Sequence, residues 1–187
     1  MKKYAVVYFS NTGNNAFLAK KAANRLQADL FEANPGHKGL VGLIFKSWLH
    51  FPERLNIKPV DLADYDEIIL LGPIWVGTFI APMKALVQLC VKANKPLRYI
   101  TCCGSGDEMN EEKFGYNQVL QKVKDLGGDL VLQTAAIPTA LIEQTKEEKE
   151  QNKDGKIKVT DDNFIGDFRE RFEIVMKVIM EDQGLLF

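Results

Sequence analysis

Apolar positions come along this chain in two rhythms. Continuous runs mark strands covered on both faces: KYAVVYF (3–9), DEIILLG (66–72), LRYITCCG (97–104) and LVLQTAAIP (130–138), with a shorter ADLFEA at 28–33. Between them apolar residues recur at helical spacing. Phe17, Leu18, Ala22 and Leu26 predict a helix over 14–27, and APMKALVQLCVKA predicts one over 81–93 with Pro82 in its first turn, where a missing N–H costs nothing. FGYNQVLQKVKDLGG (114–128) predicts a helix stopped by a glycine pair. Phe164, Ile165, Phe168, Phe172, Val175, Met176 and Ile179 predict a long final helix, with Thr160 or Asp161 as its N-cap. Strand and helix alternate, so the fold class is α/β, a doubly wound parallel sheet with helices on both faces. The whole chain, 1–187, reads as one domain.

Two segments break the rhythm. PGHKGLVGLIFKSWLHFPERLNIKP (35–59) has loop-forming glycines and prolines around an apolar stretch at 40–51, too short to span a bilayer. It reads either as a short helix over the sheet edge or as a flap bordering a ligand or partner surface. The second extra segment is 143–160. Its first half is mixed charge without an apolar anchor, a solvated excursion, and KIKV (156–159) is a candidate edge strand.

Composition narrows the function classes. The chain has 187 residues, 46% of them hydrophobic, with net charge −1, enough for one domain burying roughly 70% of its unfolded surface. Balanced charge gives no electrostatic footprint for nucleic acid or an anionic membrane. No run of about 18 apolar residues predicts a transmembrane segment. The start, MKKYAVVYFS, has a short apolar run without a small-residue cleavage site and reads as a strand. Cys90, Cys102 and Cys103 lack framework spacing, which points to a reducing compartment, the cytoplasm. Cys102 and Cys103 read as strand neighbours facing opposite sides, and His37 and His50 as loop residues with no ligand partners at metal-binding spacing.

Candidate chemistry sits at the strand ends, the edge where doubly wound sheets bind ligands. After the first strand comes SNTGNN: Ser10, Asn11, Thr12, Gly13, Asn14 and Asn15. A helix N-terminus offers free N–H groups and a partial positive charge, and Ser10, Thr12 and Asn14 add side-chain donors. One capping residue would suffice for a plain turn, so a run of small polar residues reads as a phosphate cradle without Lys or Arg. A Walker loop, a G-x-G-x-x-G fingerprint, a receiver-type acidic site and a phosphatase cysteine are each missing their required residues. After the third strand, GPIWVGTFIAP (72–82) places Trp75 on a turn. It either packs on its own loop or forms a plate for a flat ligand. After the fourth, CCGSGDEMN (102–110) is a simple turn or a loop whose N–H groups meet a heterocycle edge. As a set the three loops suit a mononucleotide with a planar ring.

These motifs resemble the flavodoxin family over most of the chain. SNTGN (10–14) is similar to the family's phosphate loop, GPIWVG (72–77) to its tryptophan-bearing ring loop, and CCGSGD (102–107) to its second ring loop. The resemblance implies a five-stranded sheet of order 2-1-3-4-5 and FMN as cofactor. Ser10 to Asn15 would hold the phosphate; Pro73, Ile74, Trp75, Val76 and Gly77 would border one side of the isoalloxazine, and Cys103, Gly104, Ser105, Gly106 and Asp107 the other. The Val76–Gly77 peptide resembles the one that turns its carbonyl toward flavin N5 on reduction. DGKIKVTDDN (154–163) is similar to the end of the extra loop in long-chain flavodoxins. The function implied is electron transfer between redox protein partners. The departures are a pI of about 6.2, less acidic than the familiar carriers, and a second ring loop without its stacking tyrosine, Tyr116 being displaced. They point to an alternative, an FMN-dependent NAD(P)H:quinone-type oxidoreductase with a small-molecule acceptor such as a quinone.

Overall fold

A computed structural model describes residues 2–35, 55–109, 115–144 and 157–182. Five strands form one sheet: β1 (Tyr4–Tyr8), β2 (Asp29–Glu32), β3 (Glu67–Leu71), β4 (Leu97–Cys103) and β5 (Val131–Pro138). Their order is β2-β1-β3-β4-β5 and every pairing is parallel. Val6 lies opposite Leu30 on one side and Ile69 on the other; farther along, Leu70 faces Tyr99 and Cys102 faces Ile137. The doubly wound order expected from the sequence is therefore the one observed.

Among the described residues, four α-helices cover the sheet: α1 (Asn14–Leu26), α2 (Ala81–Lys92), α3 (Asn117–Gly127) and α4 (Gly166–Glu181). Alternation along each strand divides the core in two. Tyr4, Val6, Tyr8, Ile69, Leu71, Ile100 and Cys102 face α1 and α4. Ala5, Val7, Phe9, Ile68, Leu70, Tyr99 and Cys103 face α2 and α3. β1, β3 and β4 are buried along their whole length, which explains why they read as unbroken apolar runs. Cys102 and Cys103 do point to opposite faces, both buried.

Two local expectations are corrected. α4 begins at Gly166, and its N-cap is the extended Ile165, without a side-chain cap. Thr160 and Asp161 serve elsewhere: the Thr160 N–H donates to Asn163 Oδ1 at 2.8 Å, and Asp161 pairs with Lys21 at 2.6 Å. The reason is aromatic packing. Phe164 sits edge-on to Phe17, Phe168 and Phe172, and this holds the preceding chain out of the helix. Residues 157–160 form no strand; the Asn14 side chain bonds their backbone instead. The glycine pair does end α3, with Gly128 at φ 56° and Gly127 so close to the chain that a Cβ there would lie 2.3 Å from Val131.

The apolar segment 40–51 lies outside the described residues, as does 145–156. The chain on either side of 36–54 meets itself beyond the C-terminal end of β2. Pro35 and Leu55 form an antiparallel bridge, the Asn34 N–H donates to Asn56 Oδ1, and Asn56 Nδ2 donates to the Glu32 carbonyl.

Candidate functional site

β1 ends at Tyr8, and residues 9–13 lead from it into α1, which begins at Asn14. Gly13 holds the turn at φ 95°, a left-handed value that a side chain opposes, although space for a Cβ is open. Gly13 is itself the N-cap of α1, and no side chain caps the helix. The first helical bond runs from the Phe17 N–H to the Gly13 carbonyl, so the N–H groups of Asn14, Asn15 and Ala16 have no acceptor within the helix. Ser10 Oγ accepts the Gly13 N–H at 3.1 Å, which leaves its own hydroxyl proton for another partner. Asn11, Thr12 and Gly13 are exposed. The polar run is thus not an ordinary capping turn. It is a shaped, uncharged loop with unspent donors.

Asn14 and Asn15 are buried, and their side chains work inward. Asn14 Nδ2 donates to the Ile157 carbonyl at 2.7 Å, and Oδ1 accepts the Val159 N–H at 3.0 Å. The carboxamide of Asn15 does the same to Cys102, accepting its N–H at 2.9 Å and donating to its carbonyl at 3.1 Å. β3 has ended at Leu71 by this level, so Asn15 fills the place a strand would take beside β4. This departs from the sequence reading of Asn14 as a side-chain donor to the site. Both asparagines pin the loop with their side chains, and their backbone N–H groups precede the first helical bond.

The β3 loop carries the aromatic group. Gly72 lies against the Met83 side chain of α2, where a Cβ would meet sulfur at 2.1 Å. Residues 75–78 form a tight turn, with the Thr78 N–H donating to the Trp75 carbonyl at 2.8 Å. Both central residues have positive φ, Val76 at 50° and Gly77 at 63°, as in a type I′ turn. Thr78 Oγ1 donates to the Val76 carbonyl at 3.3 Å. Trp75 is half-buried and meets Phe9 edge-on, ring centroids 6.1 Å apart. The first and third strand ends therefore touch. Pro73 and Gly77 are buried, Ile74 half-buried, and the Val76 side chain is 71% exposed at the tip.

The β4 loop is built mostly of backbone. The Cys103 thiol points into the core against Ser105 O, and burial pushes its pKa up to about 12. The Cys103 carbonyl accepts Thr139 Oγ1 at 3.3 Å. Gly104 is exposed with open space around it. Ser105 is half-buried, and buried Gly106 lies beneath the Glu108 carboxylate. Asp107 accepts from the Tyr116 hydroxyl at 2.5 Å and from Arg171 Nη2 at 2.6 Å. The tyrosine hydrogen bond and then the guanidinium hold its carboxyl below the usual range, against the opposing effect of burial. Sequence reasoning missed Arg171, Thr139 and Ile157, which reach the site from far along the chain without a local signal.

No family model and no curated protein matches the sequence. Solved structures do match. A flavoprotein from Lactobacillus acidophilus NCFM, in complex with FMN, aligns at TM-score 0.57 and 16% identity over 73% of this chain and 93% of its own. A flavodoxin from Fusobacterium nucleatum, bound to flavin mononucleotide, aligns at TM-score 0.51 and 11% identity over 97% of this chain and 99% of its own. With these matches and a parallel sheet of order β2-β1-β3-β4-β5, this chain has a flavodoxin-like fold.

Proposed function

We propose that the protein binds FMN at the C-terminal edge of its sheet and serves in electron transfer. One observation carries this reading: α1 begins without a side-chain cap, behind a loop whose hydroxyls and N–H groups have spare donors. That donor set fits a phosphate monoester. Ser10, Asn11, Thr12 and Gly13, with the backbone N–H groups of Asn14 and Asn15, would hold the phosphate. Pro73, Ile74, Trp75, Val76 and Gly77 would border the ring on one side, and the backbone of Cys103, Gly104, Ser105, Gly106 and Asp107 on the other. Bound there, FMN supplies one- and two-electron redox chemistry; the chain supplies orientation and a local field. The FMN complexes formed by the two structural neighbours support the reading.

A second reading draws on net charge. At −1 the chain has little field to steer a basic protein partner. This favours a small-molecule acceptor such as a quinone, with NAD(P)H as reductant.

The test is titration of the FMN-free protein with FMN, followed by stepwise reduction without oxygen. Saturable binding with quenched flavin fluorescence is expected. Thr12→Val and Trp75→Ala should each weaken it by about tenfold, the loss of one charge-assisted hydrogen bond or one ring contact. Two resolved one-electron steps support the carrier. A single two-electron step, with NAD(P)H oxidation coupled to a quinone, supports the second reading. Absence of FMN binding defeats both.

A further inference from the structure

Asp107 joins parts of the fold that otherwise lie on opposite sides of the sheet. Tyr116 belongs to the core under α2 and α3 and is only 7% exposed. Arg171 extends from α4, whose apolar side packs on the other face through Phe168, Phe172 and Val175. The two donate to different oxygens of one carboxylate, at 2.5 and 2.6 Å. An isolated surface ion pair does little, but a carboxylate shared by two elements forms a network that fixes direction. The loop before it has little stiffness of its own, because Gly104 and Gly106 flank Ser105. Its shape must come from its anchors.

We propose that Arg171 is a positioning residue for the second ring loop. Through Asp107, and together with Tyr116, it holds the 103–107 backbone at the ligand edge and offsets the Asp107 charge beside the ring. The inference rests on the FMN reading of this site. It also makes α4 part of the site, although no residue of that helix lies in the three strand-end loops.

Amide hydrogen exchange on the FMN-free protein tests the anchor, and FMN titration tests its effect. In Arg171→Met, exchange at residues 104–108 should accelerate by about fivefold while β4 and α4 stay protected. FMN affinity should fall by a similar factor. Arg171→Lys should restore much of both. Tyr116→Phe removes only the hydroxyl and keeps the ring in the core, so it should act in the same direction even if the methionine variant folds poorly. Combining Asp107→Asn with Arg171→Met should weaken FMN no more than the worse single change. Unchanged exchange and affinity in Arg171→Met overturn the proposal, as do losses that multiply in the double variant. Wild-type protein that takes up no FMN defeats the cofactor reading instead. The exchange contrast is measured without FMN, so it tests the Arg171 anchor by itself.

Discussion

Val76 is a β-branched residue at φ 50°, with its side chain 71% exposed. Left-handed backbone costs such a residue about 1–2 kcal/mol, and little packing offsets the cost here. Strain of this kind persists where the surroundings over-determine it, and the Thr78 bonds on either side of Val76 do so. Val76→Asn should therefore raise the stability of the FMN-free protein by about 1 kcal/mol in urea denaturation. Lower stability would show that the valine side chain makes a contact worth more than the strain. The cysteines present the opposite case, chemistry withheld by burial. Cys90 and Cys103 have pKa values pushed up to about 12, mainly by burial, and Cys102 is raised for the same reason. A thiol reagent at neutral pH should leave all three unmodified in the native protein and modify them once it is unfolded. Rapid reaction of one thiol in the native state would mean that its strand opens.

Among the elements, the first turn of α1 does the most for its length. Its two carboxamides stand in for strand edges, one beside β4 and one beside residues 157–159. Asn15→Ala strands a buried N–H and a buried carbonyl on Cys102, and should cost about 3 kcal/mol by denaturant melting. A loss below about 1 kcal/mol would mean that water replaces the amide. These contacts mark the limit of sequence reading. The strands were legible because each central one is buried on both faces, so its apolar run is unbroken. The polar loop after β1 was legible as more than a capping turn, but the inward turn of Asn14 and Asn15 was not. Their partners lie 143, 145 and 87 positions away, beyond any local pattern. Thr160 and Asp161 look like caps by residue type, yet packing of Phe164 decided where α4 begins.

Across the whole molecule, the two edges of the sheet divide the labour. The C-terminal edge carries the loops of the proposed FMN site. Near the N-terminal edge Arg98 and Glu67, each 1% exposed, form a buried ion pair that Asp182, Gln133 and Lys2 extend. Asp182 follows α4, so this network fastens the end of the helix far from the site. Removing one charge, as in Glu67→Gln, should cost about 3 kcal/mol, while Glu67→Leu with Arg98→Met should come close to wild-type stability. If the double variant is as unstable as the single, the pair contributes more than it costs to bury. The asparagine clamps carry a further consequence, for the order in which the protein becomes competent. Synthesis delivers Asn15 87 positions before Cys102 and Asn14 143 positions before Ile157, so both partners must arrive before the helix is pinned. A nascent chain that ends short of Cys102 holds the loop without either clamp. Any ligand that needs the pinned loop must therefore wait until the segment around Ile157 has been made and has docked.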